Sequence, residues 1–343
     1  MKIVYSEKHR LRDAKTELFG GELVEPFERP SRMDLILKQI DVRSYGEVIE
    51  PGAFGMDEVL RIHDADYIEF MSSVWEEWLA TGYKGEAIPT CWPARRMSNK
   101  IPTFVEGKLG YYSLATETSI SPGTWEAALS SKDVALTGAK LIGSGAEQIA
   151  FSLCRPPGHH AAVDMFGGYC FINNAAVAAQ SLRDQGAKKV AVLDVDFHHG
   201  NGTQDIFYSR DDVFFASLHG DPMDAFPHFL GYADETGSGA GDGFNQNYPF
   251  APGTGFVEWR TGLSDAIKRI EAFGPDALVV SLGTDTYKED PISFFKLDHD
   301  DFTVMAQDIA KLAKPTLIVM EGGYAIDDIG VNTVNFLSGF EGG

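Results

Sequence analysis

The segment from Lys188 to His199 reads KKVAVLDVDFHH, an apolar run that ends in Asp194, Asp196 and His198. Alternate residues of a strand point the same way, so an extended chain carries these three side chains toward one face. Buried carboxylates repel one another at a cost of several kcal/mol unless a cation sits among them, which makes a divalent metal the natural occupant. Asp285, in SLGTDTY at the end of another apolar run, completes a set of Asp196, His198 and Asp285. Two carboxylates and one imidazole leave positions open for a water and a substrate oxygen, the arrangement of a catalytic ion. Such a shell already neutralises a divalent charge, so proton-transfer groups must stand close by. RPPGHH supplies His159 and His160, and MEGGY supplies Tyr324. One histidine can take a proton from water and pass it to a leaving amine, while a tyrosine hydroxyl donates to the developing oxyanion. His199, His219 and His228 read as structural or pocket-rim residues.

These residues must be carried by elements that converge. Apolar runs IAFSLC, KVAVLDV, VFFASL, DALVVSL and PTLIVM alternate with helical stretches such as NNAAVAAQSLRDQG and the segment from Glu258 to Phe273. That alternation predicts a parallel sheet covered by helices, with ligands bound at the carboxyl ends of its strands. The polar residues singled out above stand at those ends. MKIVYS reads as a further strand. Arg32 to Arg43, Ala65 to Thr81 and Thr124 to Ile142 read as helices, the last capped by Thr124 and followed by Gly143. Gly82 to Ser121, with Pro89, Pro93 and Pro102, is expected to be an irregular excursion, long enough to be functional or interfacial. GSGAGDG at 237–243 follows a polar loop rather than a strand, so it is not read as a dinucleotide loop.

With 343 residues, 44% of them hydrophobic, and no repeat or linker, the chain is expected to fold as a single α/β domain over residues 1–343. A net charge of −21 disfavours nucleic acid and anionic membrane as partners and favours cations. The opening residues lack a signal sequence and no stretch is long enough to span a bilayer, so a cytoplasmic protein is expected. Cys91, Cys154 and Cys170, widely spaced, read as reduced thiols.

Over residues 150–325, RPPGHH, GGYCFINN, LDVDFHHGNGT, ASLHGD, SLGTDTY and MEGGY resemble, in order, the motifs of the arginase and deacetylase superfamily, in its histone deacetylase branch. The resemblance implies an open eight-stranded parallel sheet and one zinc ion held by Asp196, His198 and Asp285. Iron and cobalt suit the same donors. It also implies hydrolysis of an acetamide, with His160 as general base and then general acid, His159 as an electrostatic partner oriented by Asp194, and Tyr324 polarising the carbonyl. Asn201 stands behind His160 where many class I enzymes have an acid. Tyr169 and Phe226 would wall the channel. A structural potassium or sodium ion would lie among Asp194, Asp196, His198, Ser217 and Leu218.

The first 150 residues resemble the bacterial acetylpolyamine amidohydrolases, which implies substrate-binding acids at Glu17, Glu106 and Glu117 and a homodimer formed through the excursion. The implied substrate is a small cationic acetylated amine such as acetylputrescine, acetylcadaverine or acetylspermidine, the alternative being an acetyl-lysine peptide or another small amide. A two-manganese, arginase-like hydrolase would need a DxHxD pattern where this chain has DVDFH, and a non-catalytic sensor would have no need of the complete set of ligands, histidines and tyrosine.

Overall fold

The computed structural model describes residues 1–342. Ten strands form: β1 (Lys2–Val4), β2 (Glu17–Phe19), β3 (Glu22–Val24), β4 (Glu47–Ile49), β5 (Ile149–Ser152), β6 (Val190–Asp194), β7 (Val213–Gly220), β8 (Asn245–Phe250), β9 (Ala277–Leu282) and β10 (Thr316–Met320). Eight of them make one sheet in the order β4-β1-β5-β10-β9-β6-β7-β8. Every pairing in it is parallel. Strands β2 and β3 form a separate antiparallel hairpin.

The helices are α1 (Ser31–Val42), α2 (Ala65–Ala80), α3 (Val105–Tyr111), α4 (Thr124–Gly143), α5 (Asn174–Asp184), α6 (Asn201–Phe207), α7 (Phe256–Phe273), α8 (His299–Ala310) and α9 (Ile329–Glu341). They cover both faces of the sheet, which explains why its central strands read as unbroken apolar runs. On β6, Val190 and Val192 join the core formed with α2, α4 and α5, whereas Ala191 and Leu193 join the opposite core with α1, α7, α8 and α9. Each valine or leucine so withdrawn from water contributes about 1.5–3 kcal/mol, so the sheet centre is the rigid part of the molecule.

The expected single α/β domain and parallel sheet are present. The sheet also contains β4 and β8, two edge strands that the apolar pattern does not reveal. The excursion is less irregular than expected. It holds α3, and its neck is closed by a bridge in which Ala87 and Ile120 exchange both backbone hydrogen bonds at 2.9 Å. Thr124 is not the cap of α4. Gly123, at φ 77°, takes that place, and the Thr124 hydroxyl instead accepts from the Ser121 N–H at 3.0 Å and from Arg12 at 3.2 Å. The GSGAGDG segment is a loop with a 3-10 turn at Gly239–Gly241 and leads into β8, not a helix.

After β5 the chain leaves the neighbourhood it has built and returns as β6 on the far side of β10 and β9. That reversal opens a crevice above the carboxyl ends of β5, β10, β9 and β6, where open parallel sheets place their sites.

Candidate active site

Strand β6 stops at Asp194, so strand alternation accounts for that side chain alone and not, as expected, for Asp196 and His198 as well. Those two stand on the loop beyond, which the carboxylates themselves hold in shape. Asp196 N–H donates to Asp194 Oδ1 at 3.1 Å, His198 N–H to Asp196 Oδ1 at 2.8 Å and Phe197 N–H to Asp285 Oδ1 at 2.8 Å. Asp285 arrives on the loop after β9. Asp196, His198 and Asp285 are all buried, each offering one ligand atom within 4.8 Å of the others.

His198 Nδ1 lies 3.0 Å from Asp285 Oδ2 and 3.4 Å from Asp196 Oδ1. Burial opposes a charge on this imidazole, but the two carboxylates outweigh burial and push it up to about 10. The residues fit a divalent ion, which would supply that positive charge to a donor set of two oxygens and one nitrogen. Bare backbone beds the acids: a Cβ on Gly283 would fall 2.0 Å from Asp196 Oδ2, and one on Gly322 would fall 2.5 Å from Asp285 Oδ2.

The segment following β5 brings in the tandem histidines. His159 Nδ1 donates to Asp194 Oδ2 at 2.9 Å, and its Nε2 lies 3.8 Å from Asp196 Oδ1. Burial lowers its basicity, yet these carboxylates, Asp194 first, prevail and raise it above the ordinary imidazole value. His160, its ring centroid 4.0 Å away, is the reverse case. Burial, together with the charges of His159 and His198, holds it well below the ordinary imidazole value. Its Nδ1–H donates to Asn201 Oδ1 at 2.6 Å, while Asn201 Nδ2 donates back to the His160 carbonyl at 3.3 Å and fixes the amide's orientation. The Nε2 of a neutral His160 is left as an acceptor.

Tyr324 closes the other side. Burial pushes its hydroxyl well above the ordinary phenol value, so it stays a proton donor. Its backbone N–H donates to Asp290 Oδ2 at 2.7 Å, and the Arg32 guanidinium lies 5.0 Å from its ring centre. Arg32 also donates to the carbonyls of Gly323 at 2.8 Å and Glu321 at 2.6 Å. The Tyr169 ring meets Tyr324 edge-on at 5.7 Å, and its hydroxyl donates to Glu17 Oε1 at 2.7 Å.

Of these groups His160, His198 and Tyr324 form the floor of a cavity of about 310 Å³ that is also lined by Tyr169, Phe226, Glu117, Asp224, Ile292, Phe294 and the hairpin residues Glu17 to Gly20. Of the acids expected in the pocket, Glu17 and Glu117 line it. Glu106 does not: it stands on α3, hydrogen-bonded to the Tyr83 hydroxyl at 3.1 Å, outside the pocket of its own chain. The β6–β7 register places Asp194 opposite Ser217, with Leu218 next in line. His199 and His219 pack together in a buried polar network, their ring centroids 4.5 Å apart, with His199 Nε2 on Gln204 and His219 Nε2 on the Gly231 carbonyl.

Two buried acids escaped the sequence reading. Glu321 Oε2 accepts the backbone N–H groups of Gly158 at 2.6 Å and His159 at 3.2 Å, which ties the tandem histidines to the Tyr324 loop. Asp290 accepts from Ala325 at 3.2 Å and Ile292 at 3.1 Å besides Tyr324. For Glu321 the available signal was its place directly before GGY; Asp290 carried none.

Residues 26–340 match the histone deacetylase domain. The chain belongs to the histone deacetylase family. Within the family it is 60% identical over 342 residues to the acetylpolyamine amidohydrolase of Mycoplana ramosa, covering 100% of both chains. It is 55% identical over 341 residues to acetylpolyamine amidohydrolase 1 of Pseudomonas aeruginosa, covering 99% of this chain and 98% of that one. The crystal structure of acetylpolyamine aminohydrolase from Burkholderia pseudomallei is similar, with TM-score 0.94, 36% identity and coverage of 99% and 98% of the two chains. Histone deacetylase family membership bears out the resemblance carried by the motifs and makes the protein a deacetylase-type amide hydrolase. Among the described residues no helix is long and apolar enough to cross a membrane.

Proposed function

We propose that the protein hydrolyses small acetylated polyamines of the acetylputrescine, acetylcadaverine and acetylspermidine type to acetate and free amine. The observation that carries this reading is that Glu17 and Glu117 wall the same cavity whose floor is His160, His198 and Tyr324. An acidic wall suits a cationic chain, and two acetylpolyamine amidohydrolases match 99% or more of this chain.

In this reading Asp196, His198 and Asp285 hold one zinc, iron or cobalt ion, which when bound supplies Lewis acidity toward the amide carbonyl. His160 Nε2 takes a proton from the attacking water, because its other nitrogen is committed to Asn201 and its low basicity keeps it neutral. The Tyr324 hydroxyl donates to the carbonyl oxygen as charge builds there. His160 then returns the proton to the amine nitrogen, the C–N bond breaks, and acetate and amine leave. His159, oriented by Asp194 and made more basic by it, acts as an electrostatic partner beside the floor.

A structural potassium or sodium ion is assigned to Asp194, Asp196, His198, Ser217 and Leu218; the pairing of Asp194 with Ser217 supports it. We further infer a homodimer through residues 82–121. Support comes from apolar side chains left open there, Met97 63%, Ile101 44% and Phe104 53% exposed. Glu106, on the same segment, would then serve the pocket of the second copy. A cytoplasmic setting is supported by the free thiols of Cys91, Cys154 and Cys170.

The test is turnover of acetylputrescine and of an acetyl-lysine peptide by zinc-loaded protein, before and after chelation. Preference for acetylputrescine, lost on chelation and restored by zinc, is the expected result. Preference for the peptide would overturn the polyamine reading.

A further inference from the structure

We propose that Asp224 is a specificity-determining residue that receives the far ammonium group of the acetylated amine. The proposal rests on the substrate reading just given. No lysine or arginine lines the cavity, and three carboxylates do: Glu17, Glu117 and Asp224. They are not equivalent. Glu17 is spent within the protein, with Oε1 on the Tyr169 hydroxyl at 2.7 Å and Oε2 on the Phe27 N–H at 3.1 Å. Burial also pushes Glu17 up to about 7, so near neutral pH it is only partly charged. Glu117 Oε1 takes both the Gly168 N–H at 2.8 Å and the Thr118 hydroxyl at 2.9 Å.

Asp224 enters hydrogen bonding through its main chain, its N–H donating to the Asp221 carbonyl at 2.8 Å, and its carboxylate is left for an external cation. The turn that carries it is fixed. The Asp221 N–H donates to the Phe250 carbonyl at 2.8 Å, the Asp221 carbonyl also accepts from Ala225 at 2.8 Å, and Asp221 Oδ1 accepts from Met223 at 2.9 Å.

The position along the cavity agrees. Phe226, two residues on, is half-buried and meets the His160 ring edge-on at 5.1 Å, while Asp224 is exposed. The same wall therefore runs from the reacting end at His160, past an aromatic surface suited to methylenes, to a carboxylate at the mouth. An acetamide seated on the floor sends its alkyl chain outward along that wall, and a terminal ammonium leaving the apolar section meets Asp224. An exposed aspartate with no such role would be a solvated surface charge, and the two cases differ in one measurable respect: only a substrate-facing charge distinguishes a cationic amide from a neutral one.

The experiment compares the zinc-loaded wild type with Asp224→Asn and Asp224→Glu on acetylputrescine, acetylspermidine and the uncharged N-butylacetamide. Wild type is expected to favour the cationic amides. In Asp224→Asn their kcat/KM should fall about fivefold through KM, as befits loss of one partly screened charge pair. N-butylacetamide turnover should be unchanged, Asp224→Glu should recover most of the loss, and the difference should shrink at high salt. An Asp224→Asn variant that keeps the wild-type preference, or that loses activity equally on all three amides, overturns the assignment of Asp224. A wild type with no preference for the cationic amides instead overturns the polyamine reading itself.

Discussion

The floor of the cavity and its rim are built on different terms. Floor residues descend from neighbouring strands of a covered parallel sheet and are bound chiefly to one another: Asp194 to His159, Asp196 to the backbone of His198, Asp285 to that of Phe197. The rim is made of short pieces, the β2–β3 hairpin and the turn at Asp221 to Phe226, which leave Phe19 48%, Leu23 65% and Met223 74% exposed. The sheet fixes the chemistry, and surface segments, free to vary without disturbing it, choose what enters. Damage to the floor should then lower kcat, while damage to the rim should move KM.

The largest effect is expected for Asp285→Asn, which on the proposed reading would leave the ion one charged ligand short. Metal content measured by elemental analysis should fall and turnover should drop to background; full metal occupancy with normal turnover would break the assignment of the floor. Next comes Tyr324→Phe. Loss of one transition-state donor predicts a kcat about 100- to 1,000-fold lower with KM nearly constant. A rise in KM of that size with kcat preserved would move Tyr324 from floor to rim.

The smallest effect is expected at Glu17, and it carries a pH signature. Burial raises its carboxyl to about 7, so it gains charge as the pH rises through that value and KM for acetylputrescine should fall over the same interval. Glu17→Gln should flatten that dependence with little change in kcat. The fold responds in the opposite sense. A carboxyl that binds its proton more tightly folded than unfolded loses its stabilising contribution as the pH rises from its ordinary value through its folded one, so between about pH 4.5 and about pH 7 the wild-type Tm should fall more than that of Glu17→Gln.

What the sequence revealed follows the same division. The central strands were legible because both faces are buried, so β6, β9 and β10 are apolar apart from Asp194 and the small polar residues Ser281 and Thr316. The exceptions then stood out at the strand ends, which is why Asp194, Asp285 and Tyr324 could be named. Edge strands lack that constraint: β8 reads NQNYPF, with a proline and three amides, because one side of it has no neighbour to pair with. Helix α3 was hidden by its brevity among prolines. Glu321 and Asp290 were illegible for another reason. Each works on backbone N–H groups of a remote segment, Glu321 across 163 positions, and a backbone amide leaves no mark in a sequence. Asp224 looked like any loop aspartate until the turn placed it on the cavity wall.

The strand order also bears on how the molecule comes into being. Strands β9 and β10 are synthesised after every other strand of the sheet, yet they occupy its middle between β5 and β6. A nascent chain that has emerged only as far as Phe273 carries two half-sheets with unpaired inner edges and lacks Asp285. Productive closure must wait for the carboxyl-terminal segment to thread between them, an event dominated by distant contacts and correspondingly slow. The trio of Asp196, His198 and Asp285 can thus be completed only once β9 has been made and has docked beside β6.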